Sequence, residues 1–207
     1  YKMNINEAIE KISSSNDLEK EEIKNVFLSI MRNECNDAEI ISFLMTLKTK
    51  GESVEEITGA AEVLREMSQK LELPSDNLVD TCGTGGDGQN TFNISTASAI
   101  VAAAAGVKIA KHGNKSISSK SGSADLLEHA GINIDLDENQ SKKCFEDHGI
   151  TFMFAPKYHK AMKNVAKVRK SIKTRTIFNV LGPLSNPANA KYQICLLYTS
   201  DAADESV

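Results

Sequence analysis

The residues best placed to do chemistry fall in one stretch, Leu78 to Ser123. It opens with Leu78-Val79-Asp80-Thr81, a short run that reads as a strand. A glycine-rich loop follows, Gly83-Thr84-Gly85-Gly86-Asp87-Gly88. Asn93-Ile94-Ser95-Thr96 then stands at the mouth of an alanine-rich helix. A second strand, Val107 to Ala110, leads into a loop with Lys111-His112-Gly113-Asn114 and a run of serines. From Gly88 to Ala124 there is no Asp or Glu, yet four lysines fall there: Lys108, Lys111, Lys115 and Lys120. Glycine lets backbone N–H groups approach an anion, and hydroxyls donate to it. A helix N-terminus adds partial positive charge and lysine a full one. The stretch reads as a phosphate cradle.

Asp87 is a carboxylate within that cradle. It suits a nearby Mg²⁺, which prefers carboxylate, hydroxyl, water and phosphate oxygens, or else a turn in which Asp bonds its own backbone. Gly83, Gly85 and Gly88 match G-x-G-x-x-G, but a dinucleotide fold needs an acid roughly 20 residues on, where this chain has Lys111. The loop also lacks the G-K-[ST] ending of a P-loop. His112 and His159 are candidate acid–base groups, but neither has a Ser, Cys or Asp partner at a recognisable spacing, so the alternative for each is a structural or polar lining residue. Between Ala155 and Ala190 there are eight Lys or Arg and no acid, which makes the segment around Arg169 either an anion site or a solvated face.

The elements that must position these residues come in two kinds. Residues 1–74 read as a helical domain. Ile23, Val26, Phe27, Ile30 and Met31 form one apolar face, and Asn36 with Glu39 and Ser53 with Glu56 have capping-box spacing. From residue 75 the pattern becomes strand–helix alternation, with strands at 78–81, 107–110, 150–154 and 192–198 and helices at about 95–105, 123–130 and 137–148. Alternation predicts an α/β fold with a parallel sheet and ligands at the C-terminal ends of its strands. Pro156 to Lys173 reads as one basic helix with its approach. The chain has 207 residues, a net charge of -4, and four well-separated cysteines. These features argue against a general nucleic-acid binder, a zinc site or a disulfide scaffold. With no apolar run near membrane length and no apolar signal core at the N-terminus, a cytoplasmic protein with no membrane partner is expected.

Taken together the motifs carry a family resemblance. They are DTCGTGGDG from Asp80, FNIST from Phe92, KHGN from Lys111, SSKSGSADLL from Ser118, Asn164-Val165-Ala166, Arg169, and RTIFNVLGPLSNP from Arg175. The chain resembles the anthranilate phosphoribosyltransferases from its N-terminal helices to about Gln193. Nucleoside phosphorylases of the same fold share the cradle but resemble these strings less. A non-catalytic anion- or nucleic-acid-binding relative is the other alternative.

The resemblance implies transfer of a phosphoribosyl group from phosphoribosyl pyrophosphate (PRPP) to anthranilate, a step of tryptophan biosynthesis, with Mg²⁺. It implies a helical domain of residues 1–74 joined by about 157–186, and an α/β domain of 75–156 with 187–198. It further implies a homodimer formed through the helical domain. By matching positions, Gly83, Gly86, Asp87, Thr91, Asn93, Ile94, Ser95, Thr96, Lys111, His112, Gly113, Asn114, Lys115, Ser116, Ile117, Ser118, Ser119 and Ser123 would hold PRPP. Ser95 would be a magnesium ligand, and Gly83, Asn114 and Arg169 would contact anthranilate. Lys115 stands where many relatives have Arg, which keeps the charge but loses the fork. After Gln193 the match fades. The stretch from Cys195 to Glu205 reads as unrelated sequence, and 199–207 as an unstructured or foreign tail. Asp204-Glu205 lacks the context of the family's magnesium-binding acidic pair, so a poor catalyst is expected.

Overall fold

In chain order the elements are α1 (Ile5–Ser13), α2 (Lys20–Met31), α3 (Asp37–Lys50), α4 (Val54–Met67), β1 (Val79–Gly83), α5 (Ile94–Ala104) and β2 (Ile109–Gly113). Then follow α6 (Ser123–His129), α7 (Glu138–His148), β3 (Ile150–Phe154), α8 (Ala155–Tyr158), a 3-10 turn (Lys160–Met162), α9 (Lys163–Ile172), α10 (Ile177–Leu184) and β4 (Tyr192–Leu196). The structure is a computed structural model that describes residues 2–83, 93–115 and 122–196. The chain divides into two units, Tyr1–Gln69 with Pro156–Ser185 and Lys70–Ala155 with Asn186–Val207.

The first unit is all helix. Asn36 with Glu39 and Ser53 with Glu56 close the capping boxes their spacing predicts, and Asn4 with Glu7 closes a third. Each cap is worth about 1 kcal/mol. Gly51, at φ +89°, ends α3 in a conformation that favours glycine. The apolar face of α2 is buried as expected, and it packs with Phe43, Leu44 and Leu47 of α3, Val63 of α4, Val165 of α9 and Phe178 of α10. Phe27 is central: its ring meets Phe43 edge-on at 6.3 Å and Phe178 at 5.6 Å. The basic segment differs from its expectation. It is not one helix but α8, a 3-10 turn and α9. The break falls at His159, whose backbone leaves the helical region (φ -112°, ψ 62°) and whose Nε2 lies 3.0 Å from the Ser185 carbonyl.

The second unit holds a parallel four-stranded sheet in the order β3-β2-β1-β4. Residues 70–74 go with it, and Leu71 N–H donates to the Pro187 carbonyl at 3.2 Å. β2 pairs with β3 from Ile109↔Ile150 to Gly113↔Phe154, and β1 pairs with β4 from Val79↔Tyr192 to Gly83↔Leu196. Between β1 and β2 the register records only Val79↔Ile109 among the described residues. The second strand therefore runs beyond its expected end at Ala110. Lys111, His112 and Gly113 are strand residues rather than loop residues, because pairing with β3 carries the ladder through them. Gly113 is confined: a Cβ there would meet Phe152 Cε2 at 2.8 Å and Ser123 Cβ at 3.1 Å. Phe152 itself packs with Ala124, Leu127 and Ile134.

Candidate functional site

The site is built where β1 and β2 end and α5 begins. Asn93 caps α5, its Oδ1 accepting from Thr96 N–H at 3.1 Å and from Ser95 Oγ at 3.2 Å. No acid stands in the first turn of α5, so no side-chain charge of that turn offsets the positive end of the helix. Thr81 Oγ1 donates to the Ser95 carbonyl at 2.8 Å and ties that turn to β1. Lys111 reaches across from β2. Its Nζ donates to the Thr81 carbonyl and lies 3.3 Å from both Thr81 Oγ1 and Ser95 Oγ. Lys111 is only 2% exposed, and burial pushes its pKa down to about 8, against the opposing pull of Asp80. Lys111 thus supports the turn from behind instead of projecting from a loop.

Gly83 and Asn114 are exposed at the ends of β1 and β2. The Asn114 carbonyl accepts from Ala124 N–H at 3.2 Å, which brings Ser123, the first residue of α6, alongside this strand end. Ile94 is exposed in the first turn of α5, and Thr96 is buried there. Lys115 pairs with Glu128 at 2.8 Å, so its charge is partly engaged at the surface. His112 is buried in β2, and its backbone N–H donates to Asp80 Oδ1 at 3.1 Å. His159 is buried in the first unit, joining α8 to the end of α10, which is a structural role. Gly86, Asp87, Thr91, Ser116, Ile117, Ser118, Ser119 and the Asp204-Glu205 pair lie outside the described residues.

Arg169 belongs to the first unit. Its guanidinium sits 5.3 Å over the Phe178 ring, and desolvation by burial pulls its pKa below the ordinary value. No carboxylate pairs with it among the described residues. A partly buried guanidinium on an aromatic platform has the chemistry to take an anion.

Magnesium would find two neutral oxygens here, Ser95 Oγ and Asn93 Oδ1. No group of three His, Cys, Asp or Glu that could hold a metal exists among the described residues. With Lys111 Nζ 3.3 Å from Ser95 Oγ, a bare cation is repelled. The donors fit an ion whose charge is already shared with a bound polyphosphate.

Sequence reasoning placed Asp80, Thr81 and Asn186 in motifs without giving them a role, and it gave none to Gln193. The available signal was a carboxylate within an otherwise apolar strand.

Residues 6–68 match a family model described as "Glycosyl transferase family, helical bundle domain", and residues 75–206 match "Glycosyl transferase family, a/b domain". Curated relatives include an anthranilate phosphoribosyltransferase of Clostridium kluyveri, 52% identical over 94% of this chain and 58% of its own length. Another, from a Thermoanaerobacter species, is 54% identical over 95% of this chain and 58% of its own length. The chain thus spans less than two thirds of these relatives. The solved anthranilate phosphoribosyltransferase of Thermus thermophilus superposes with a TM-score of 0.86 at 39% identity, over 94% of this chain and 59% of that one. The Saccharomyces cerevisiae enzyme in complex with PRPP and Mg gives 0.85 at 33% identity, over 97% and 60%. No helix among the described residues is long and apolar enough to cross a membrane.

Proposed function

The chain belongs to the glycosyl transferase family that joins a helical bundle to an α/β domain, and from that premise we propose that it transfers the phosphoribosyl group of PRPP to the amine of anthranilate, releasing pyrophosphate. The observation that carries this reading is the convergence of the acid-free first turn of α5, Ser95, Thr81 and the Lys111 ammonium at the C-terminal ends of β1 and β2. The convergence suits a polyphosphate, because helix dipole, hydroxyl and cation all favour negative charge. Mg²⁺ arriving with PRPP would take Ser95 Oγ as one ligand and neutralise charge on the leaving pyrophosphate.

In this reading the bond from the anomeric carbon to pyrophosphate breaks as the anthranilate nitrogen bonds that carbon, and the amine proton passes to solvent. Positive charge grows on the ribose and negative charge on the leaving group. The α5 backbone N–H groups stabilise the latter, and Lys111 holds Ser95 and Thr81 in place for it. The amine is already a nucleophile, so no strong base is needed and positioning does most of the work. Arg169 takes the anthranilate carboxylate through its fork. An arginine with no carboxylate partner among the described residues favours an acceptor with a carboxylate over a nucleoside. The reading also includes a cytoplasmic setting and a homodimer through the helical unit, which sedimentation of the purified chain would check.

The direct test is anthranilate fluorescence. Added PRPP and Mg²⁺ should quench it, slowly, in the presence of the chain, and inorganic phosphate with a nucleoside should not react. Phosphorolysis without loss of anthranilate would replace this reading with a phosphorylase.

A further inference from the structure

We propose that Asp80 is a positioning residue, its buried carboxylate bridging β1 and β2 at the end where the phosphate-binding groups converge. The inference rests on the reading of that end as a phosphate cradle. β1 and β2 share the single register pair Val79↔Ile109 among the described residues, whereas each pairs over five residues with its other neighbour. Backbone groups in the middle of a sheet need partners, so an opened seam must be closed by something else. Here side chains close it. Asp80 Oδ1 accepts from the His112 N–H at 3.1 Å. Lys111 Nζ donates to the Thr81 carbonyl, and Asn186 Nδ2 donates to the Ala110 carbonyl at 2.9 Å.

Asp80 is the centre of this closure. It is fully buried, beneath a position where a sheet would ordinarily carry an apolar residue. The Asn186 side chain and Gln193 Nε2, the latter at 3.4 Å, add donors to it, so its charge is held by hydrogen bonds from the backbone and amides. A buried carboxylate is tolerated only with such partners. It persists because it does what an apolar residue cannot, which is to accept a β2 N–H across the gap.

The groups on either side of the bridge are those of the site. His112 precedes Gly113, where no side chain fits, and Asn114, whose carbonyl takes the Ala124 N–H. Asp80 precedes Thr81, which donates to the Ser95 carbonyl and receives Lys111. Releasing His112 from Asp80 therefore shifts the end of β2, with Asn114, against the end of β1, with Gly83 and the first turn of α5. Asp80 reaches the ligand only through these neighbours.

Asp80→Asn puts an amide donor where three donors already point. Two measurements on the purified chain test the inference: calorimetric binding of PRPP with Mg²⁺, and hydrogen exchange over residues 109–115, with residues 20–31 of α2 as the internal control. The variant should bind PRPP at least tenfold more weakly, with faster exchange at 109–115 and unchanged exchange in α2. Asn186→Ala, which removes one donor from the same bridge, should shift both readouts in the same direction. If Asp80→Asn does not fold, this second variant carries the test alone. Wild-type affinity in the folded variants, or exchange accelerated equally in both segments, would overturn the inference and leave the cradle reading standing. A wild-type chain that binds no PRPP would overturn both.

Discussion

At the residue scale, Arg169 and Asp80 illustrate two uses of a desolvated charge. Arg169 rests on Phe178 with no carboxylate partner among the described residues, so its truncation should be felt mainly by a ligand carboxylate. Arg169→Ala should weaken anthranilate by about 1.5–3 kcal/mol, the worth of a charged hydrogen bond, and weaken PRPP less. Phe178→Leu should weaken anthranilate by about 0.5–2 kcal/mol through loss of the cation–π platform. Titrating each substrate separately checks both, and equal losses for the two substrates would remove Arg169 from the anthranilate site. Asp80 is the opposite case, a charge held wholly by the protein. Burial is the largest influence on it and raises its pKa above 3.8. The folded state then holds the proton more tightly than the unfolded chain. The resulting stability is fully present below the unfolded pKa and is lost as pH rises through the raised folded value. Urea midpoints of the chain minus those of Asp80→Asn should therefore fall across that window, and a difference that rises with pH would contradict the direction.

At the element scale, the helical unit is held by a buried ionic knot. Glu56, fully buried in α4, accepts from Leu18 N–H at 2.9 Å, from Ser53 N–H at 2.7 Å and from Lys50 Nζ at 2.9 Å. One carboxylate so ties the α1–α2 connection, the end of α3 and the start of α4 together. Glu56→Ala should lower unfolding stability by about 1–3 kcal/mol, since it orphans the buried Leu18 N–H and leaves Lys50 Nζ with only Asp17 and the Gly51 carbonyl. A urea titration with an unchanged slope and a lower midpoint is the expected result. The cap function of Glu56 was legible from Ser53-x-x-Glu56, because a capping box is local. Its bonds to Leu18 and Lys50 were not, because they join residues distant in sequence. The same distinction explains the basic segment. Its helical composition was visible, but the break at His159 depends on Ser185.

At the scale of the whole molecule, the α/β unit displays apolar surface. Ile100 and Val101 of α5 are 46% and 69% exposed, and Tyr192 and Ile194 of β4 are 55% and 61% exposed. Tyr192 and Ile194 lie opposite Val79 and Thr81 in the register. Thr81 bonds to α5, so these side chains share the face of the sheet that α5 covers. An apolar edge strand invites pairing with another chain. The purified chain should self-associate with rising concentration, and Val101→Lys with Ile194→Lys should reduce that association and the binding of a hydrophobic dye. Sedimentation at several concentrations measures the first, and an unchanged profile in the double variant would place the contact elsewhere.

The sequence by itself determined the helical bundle, the strand–helix alternation and the polar composition of the cradle. Each is written in local spacing: apolar faces at helical period, capping boxes, and a long stretch without acids. Ser95, Asn93 and Lys111 were legible as candidate site residues for the same reason. Only the tertiary structure decided how they act. Lys111 sits in a strand and is buried behind Ser95 because β3 extends the ladder past Ala110, and no local signal in Lys-His-Gly records that pairing. Asp80 reads in sequence as a misplaced charge in an apolar run. It becomes a bridge only when β2, Asn186 and Gln193 are folded around it, since the hydrogen bonds that make a buried carboxylate tolerable all come from distant parts of the chain.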